Sequence, residues 1–296
     1  MKSNRLALVA LLVFMAGAAK AADTAARPEN WRAVDPQNLV LMDVKYGRIA
    51  LELAPEFAPR AVARFKALIR AHFYDGKSFY RVIDGFVAQG GIGEGTAATG
   101  SYSPEVEKHW PPLPAEFDAP YAKGLGFTPL GNKDLYAPEV GHVNGFPVGR
   151  DPKAGRMWII HCPGTLAFAR DNGADTATTE FYVVIGEAPR RLDRNLTAFG
   201  RVIDGLQYLQ KLTRGDPDIA NGVIQDKAKA DKILKVAIAA DLPENERPRY
   251  AVMRTDGPAF AAWKQKRKNP APGFYVRTPP PVLDICLALP PVRRMN

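Results

Sequence analysis

Ser78 to Gly91 reads SFYRVIDGFVAQGG, and the fold turns on this stretch. Apolar positions alternate with others on either side of Asp84-Gly85, the pattern of two short strands joined by a tight turn. One arginine, Arg81, sits among aromatic and branched residues, and an amide, Gln89, precedes a glycine pair. A guanidinium on an apolar sheet face needs a reason, because burying an unpartnered charge is costly.

Upstream, NLVLMDVKYGRIALEL (Asn38 to Leu53) alternates around Tyr46-Gly47 and predicts a β-hairpin with one buried face. From Pro59 the period changes. Val62, Phe65, Leu68, Ile69 and His72 recur at spacings of three and four, with Arg60, Arg64, Lys66 and Arg70 turned away. That is an amphipathic helix packed on a sheet, started by a proline at its first position and ended near Tyr74-Asp75-Gly76.

Downstream, residues 92–157 are rich in glycine, proline and short apolar pieces such as HWPPLPAEFDAP, and read as a long irregular insertion. Strand pattern resumes at RMWIIHC (Arg156 to Cys162) and continues in GTLAFAR, EFYVVIG and LTAFGRVI. Leu206, Leu209 and Leu212 predict a second, shorter helix, and DKILKVAIAADL (Asp231 to Leu242) a last strand. Several strands with two helices argue for an all-β barrel or sandwich capped by helices. Residues 243–296 shift to proline and basic side chains, with WKQKRKNP as a charge run, while VLDICLALP is apolar enough to pack back on the body.

The chain has 296 residues and 46% apolar content, enough for one large domain or two ordinary ones. Lys2 and Arg5, the apolar run Leu6 to Ala18 and Ala19-Lys20-Ala21 read as an export signal over residues 1–21, cleaved near Ala21 to give a periplasmic or secreted protein. The alternative is a retained N-terminal anchor, for which thirteen apolar residues are short. Nothing later predicts membrane insertion. In an oxidising compartment Cys162 and Cys286 can form a disulfide, the other reading being two buried thiols.

The formal charge of +9 invites a nucleic-acid reading. Without the signal the balance is 37 basic against 31 acidic residues, and residues 242–296 hold ten basic and four acidic, so the whole excess sits in the tail. A basic, proline-rich tail is a solvated or docking surface before it is a polyanion site, and no nucleic-acid partner is expected. His72, His109, His142 and His161 lack metal-ligand spacing, GGIGEGTAATG is followed by no dinucleotide-binding helix, and there is no G-x-S-x-G elbow. Neither metal nor cofactor is expected.

FYDGKSFYRVIDGFVAQGG closely resembles the signature of cyclophilins, the peptidyl-prolyl cis-trans isomerases. GTLAFAR, TTEFYVVIG and LDRNLTAFGRVIDG agree in order, so the likeness spans residues 38–91 and 158–242 and looks most like a divergent, exported bacterial branch. It implies a mainly β fold, a closed eight-stranded antiparallel barrel capped by two helices, over residues 38–242. Position by position, it makes Arg81 the catalytic arginine, Phe86 a wall of the proline pocket and Gln89 the amide that orients arginine and substrate. Phe168 falls where the family usually has methionine, Ala169 where backbone groups pair with substrate, Tyr182 at the pocket floor and Leu192 at a pocket leucine. Glu180 replaces a glutamine, Leu196 a histidine, and Arg191 a tryptophan important for cyclosporin binding in some members.

These residue types suit the chemistry. Rotation about an X-Pro bond must overcome roughly 18 to 20 kcal/mol of amide resonance and breaks no covalent bond. An apolar slot that holds the ring, and a fixed donor that favours the twisted amide over both planar forms, lower that barrier. The implied activity is therefore a non-covalent isomerase acting on proline-containing chains during folding of exported proteins. Glu180 is the departure that matters most. If its carboxylate clamps Arg81, the donor is partly neutralised, and the chain is a weak isomerase or a proline-binding chaperone; if it points to solvent, it favours basic substrates. The insertion and tail covering the groove is a third possibility.

Overall fold

A computed structural model describes residues 27–93, 103–121, 123–271 and 273–295. The expected export signal lies outside them. In chain order the strands are β1 (Trp31–Ala33), β2 (Leu39–Val44), β3 (Gly47–Leu53), β4 (Ser78–Val82), β5 (Val87–Gly91), β6 (Ala119–Pro120), β7 (Thr128–Pro129), β8 (Glu139–Val143), β9 (Phe146–Asp151), β10 (Arg156–Ile159), β11 (Thr165–Phe168), β12 (Phe181–Val184), β13 (Ala198–Asp204), β14 (Ile233–Ile238), β15 (Arg249–Met253) and β16 (Val292–Met295). The α-helices among the described residues are α1 (Pro59–Arg70), α2 (Pro104–His109), α3 (Leu206–Leu209) and α4 (Pro258–Lys268).

Eight strands form one antiparallel sheet in the order β14-β2-β3-β13-β11-β12-β5-β4. A bridge from Ser78 to Lys232, the residue before β14, and hydrogen bonds of Gly76 and Lys77 with Ile233 bring its two edges together, so the sheet is a nearly closed barrel, while Arg81 bridges to Val223 in the segment before β14. Alternation decides what fills it. Phe181 and Val183 of β12 and Leu166 and Phe168 of β11 enter one apolar core with Phe65, Leu68 and Ile69 of α1, while Tyr182, Val184 and Ala167 face outward. Phe168 stacks on Phe199 with ring centroids 4.6 Å apart.

The insertion is not an irregular loop. It carries a five-stranded antiparallel sheet in the order β6-β10-β9-β8-β7, and β10, whose residues read as a barrel strand, belongs to it. Met157 and Ile159 of β10 pack with Phe146 and Val148 on the outer barrel face, against Val87, Ala167 and Tyr182. Trp158 and Ile160 point the other way and meet Leu283, Ile285 and Ala288 of the tail. The molecule is thus layered as barrel, insertion sheet and tail. Polar ties cross the layers: Arg201 binds Glu52 at 2.8 Å and the Gly145 carbonyl at 2.5 Å, both charges being buried. Glu116 of the insertion accepts from the N–H groups of Arg60 and Ala61 at the start of α1, which has no side-chain cap of its own.

The tail is also structured. β15 pairs with β1 and β16 in a three-stranded sheet, and Tyr250 and Val252 cover Leu39, Leu41 and Ala50 on the outside of β2 and β3. Much of the basic run lies on α4, where Lys264 and Lys268 donate to the carbonyls of Pro129 and Leu130 in the insertion. Cys162 and Cys286 are joined by a disulfide across the insertion–tail layer, 124 residues apart in sequence.

Candidate active site

A cavity of about 320 Å³ opens on the outer barrel face at the free margin of the barrel–insertion layer. The side chains that face it come from adjacent strands. Register pairs Arg81 of β4 with Gln89 of β5, Gln89 with Tyr182 of β12, and Tyr182 with Ala167 of β11, so one row crosses the sheet. Arg81, Gln89 and Tyr182 of that row line the cavity, with Ala169 two residues beyond Ala167. Phe86 enters from the turn between β4 and β5, and Leu192 and Leu196 from the segment before β13.

A bulge explains how an arginine comes to be there. The β4–β5 register shifts between Ser78 and Arg81, so that Phe79 and Val82, three apart, both turn into the core. Tyr80 and Arg81 between them both meet the Gln89 side chain. Arg81 Nη1 donates to Gln89 Oε1 at 3.0 Å, and Gln89 Nε2 donates to the Tyr80 hydroxyl at 2.5 Å. Arg81 Nε donates to the Asn221 carbonyl at 2.7 Å, which fixes the guanidinium from a second side. Burial holds the Arg81 pKa below the usual guanidinium range, and an arginine so placed still carries its charge.

Glu180 does not pair with Arg81. Its carboxylate is fully buried behind the site, accepting from Ile92 N at 3.0 Å, Gly93 N at 3.3 Å and the Thr179 hydroxyl at 3.2 Å. It also hydrogen-bonds Tyr80, and burial outweighs these donors to push its pKa up to about 7. The space it fills exists because Gly91 has no side chain: a Cβ there would lie 2.2 Å from Glu180 Oε1. Clamp and solvent-facing selector are both overturned, since the carboxylate neither reaches Arg81 nor lines the groove. It ends a relay, Arg81 to Gln89 to Tyr80 to Glu180.

The other groove residues divide by strand parity. Ala169 lines the cavity, but its N–H is committed to the Glu180 carbonyl at 2.8 Å. Phe168, expected beside it in the groove, points into the barrel core, because neighbours on a strand face opposite sides. Tyr182 forms the floor, its hydroxyl 2.9 Å from His161 Nε2, while His161 Nδ1 lies 3.0 Å from Asp193. His161 thus bridges the Tyr182 hydroxyl and the Asp193 carboxylate. Arg190 joins Asp193 to Asp134 with bonds of 2.7 to 2.9 Å, all three buried, so a polar chain runs from the groove floor into the insertion. Burial, then Asp193, raises the Tyr182 pKa well above its usual value, and the phenol stays neutral.

Four participants were not singled out from sequence. Tyr80 and Val87 adjoin named residues, and Arg170 follows Ala169 and lines the cavity from the same strand end. Asn221 acts through its main chain, in a loop with no motif, and left no signal to find.

Comparison with known proteins agrees with this geometry. The family model described as cyclophilin type peptidyl-prolyl cis-trans isomerase/CLD matches residues 39–238. A probable peptidyl-prolyl cis-trans isomerase of Brucella suis is 29% identical over 214 residues, covering 71% of this chain and 86% of that protein. A peptidyl-prolyl cis-trans isomerase of Helicobacter pylori is 31% identical over 172 residues, 57% of this chain and 77% of that protein. The crystal structure of cyclophilin AquaCyp293 from Hirschia baltica superposes with a TM-score of 0.69 at 29% identity, covering 90% of this chain and 94% of that one, so the likeness extends past residues 39–238 into the flanking layers. With the barrel, the groove and the family match in agreement, the chain belongs to the cyclophilin-type peptidyl-prolyl cis-trans isomerases.

Proposed function

We propose that Arg81 is the donor that stabilises the twisted prolyl amide, in an isomerase that acts on proline-containing chains during the folding of exported proteins. The proline ring sits among Phe86, Tyr182, Leu192 and Leu196, and the amide turns against the guanidinium. The observation that carries this reading is the state of Arg81: held by Gln89 and the Asn221 carbonyl at the wall of an apolar cavity, and committed to no carboxylate among the described residues. Two N–H bonds fix the fork while its charge remains free for an oxygen or nitrogen that gains electron density as resonance is lost. Weak turnover through neutralisation of Arg81 loses its basis, because Glu180 stands two hydrogen-bonded groups away.

Export rests on residues 1–21 and is supported by the Cys162–Cys286 bond, which suits an oxidising compartment. The test has two arms. Mass spectrometry of the protein recovered from the cell envelope reads whether the chain starts at Ala22. A protease-coupled assay of the mature chain on X-Pro peptides, beside Arg81→Ala, reads turnover; enhancement retained in the variant contradicts the assignment of Arg81.

A further inference from the structure

Among the described residues the groove is lined by positive charge and by no carboxylate. Among the described residues, Arg81 and Arg170 are the ionisable side chains lining it besides Tyr182, and no aspartate or glutamate does. Three other arginines are ion-paired: Arg156 and Arg194 share Asp118, and Arg190 lies between Asp134 and Asp193, three charges of each sign. Arg170 is not. Its Nε donates to the Asn195 carbonyl at 2.9 Å, its Nη1 to the carbonyls of Asp171 and Asn172 at 2.7 and 3.3 Å, and its guanidinium lies 5.5 Å from the Phe117 ring centroid. Three main-chain oxygens and a ring hold it in place without cancelling its charge, which is the arrangement of a pre-positioned anion donor. Arg191, next in sequence to the lining residue Leu192, is exposed and has no carboxylate partner among the described residues.

Resting on the reading of this groove as the proline site, we infer that Arg170, supported by Arg191, selects substrates with an acidic side chain within two residues of the proline. The row from Arg81 through Gln89 and Tyr182 ends at Ala167, and Ala169 and Arg170, just beyond it on the same segment, line the same cavity, so a chain whose prolyl bond faces Arg81 runs a neighbouring side chain toward Arg170. A carboxylate there completes a charge-assisted bond to an arginine already ordered, at little entropic cost. A lysine there meets two like charges.

The experiment is two-dimensional NMR exchange on peptides carrying Glu, Ala or Lys at each of the two positions before and after one proline, at low and high salt. The same spectra give Kd, so selectivity is read from binding as well as from turnover. Expected is a preference of about five- to tenfold for Glu over Ala in at least one position, larger over Lys, and shrinking as salt rises. Arg170→Gln brings that ratio to about one, Arg170→Lys keeps part of it, and Arg170→Glu reverses it toward Lys. A ratio near one in the wild type at every position, or a preference untouched by Arg170→Gln and Arg170→Glu, overturns the inference. Arg81→Ala on the Ala peptide separates the two readings: its turnover reports on the donor, whereas the Glu/Ala binding ratio reports on Arg170.

Discussion

Gln89 donates to the Tyr80 hydroxyl at 2.5 Å, and by doing so turns its carbonyl toward Arg81. The direction of the relay is set at its far end. Glu180, when ionised, only accepts, so Tyr80 must donate to it and accept from Gln89. Removing the hydroxyl in Tyr80→Phe frees the amide to rotate and set its NH₂ against the guanidinium. The expected result is a drop in kcat/KM of roughly three- to tenfold with the folded structure kept, a cost of about one hydrogen bond. Stopped-flow assay together with circular dichroism checks it.

Glu180 gives a pH signature in stability. Its carboxyl titrates near 4.5 in the unfolded chain and about 7 in the folded one, so across that window the folded state holds the extra proton. Stability from this group is therefore full below pH 4.5 and is lost as pH rises through 7, by up to roughly 3 kcal/mol. Urea unfolding of Glu180→Gln against wild type at pH 5 and pH 8 should show the variant gaining relative stability at the higher pH. Because no clamp exists to release, the same variant is expected to leave kcat/KM within about threefold rather than raise it; a larger increase would restore direct pairing with Arg81.

Arg190 ties the groove floor to the insertion. In Arg190→Ala both Asp134 and Asp193 lose their buried partner, and breaking such a network costs about 3 to 5 kcal/mol. Tyr182→Phe removes only the bond to His161 and is expected to cost about 1 to 3 kcal/mol. The two losses should be less than additive, since both act on His161–Asp193. Denaturant midpoints for the single and double variants measure the coupling.

Much of this architecture was legible in the chain. The period of two in NLVLMDVKYGRIALEL and of 3.6 after Pro59 matched the hairpin and helix, and the resemblance of FYDGKSFYRVIDGFVAQGG to the cyclophilin signature pointed to Arg81, Phe86 and Gln89 in the groove. Phe168 was misplaced although GTLAFAR carries the correction: Leu166 and Phe168 share one face, Ala167 and Ala169 the other. The insertion hid its sheet because β6 and β7 are two residues each, too short for a period to build up, and β6 pairs with β10, on the far side of β7, β8 and β9 in the chain. The β4 bulge and the burial of Glu180 behind Gly91 are facts of register and close approach, and neither alters residue type in a way that a linear reading detects.

The central claim is that Arg81 favours the twisted amide over both planar forms, and its sharpest test separates rate from affinity. NMR exchange on one X-Pro peptide gives the catalysed cis/trans rate at saturation and Kd for wild type, Arg81→Ala and Arg81→Lys. The account predicts a rate at least about a hundredfold lower in Arg81→Ala with Kd changed by less than about fivefold, and partial recovery in Arg81→Lys. An unchanged saturated rate with a weakened Kd would contradict it, making Arg81 a binding residue and leaving the proline slot alone to account for turnover.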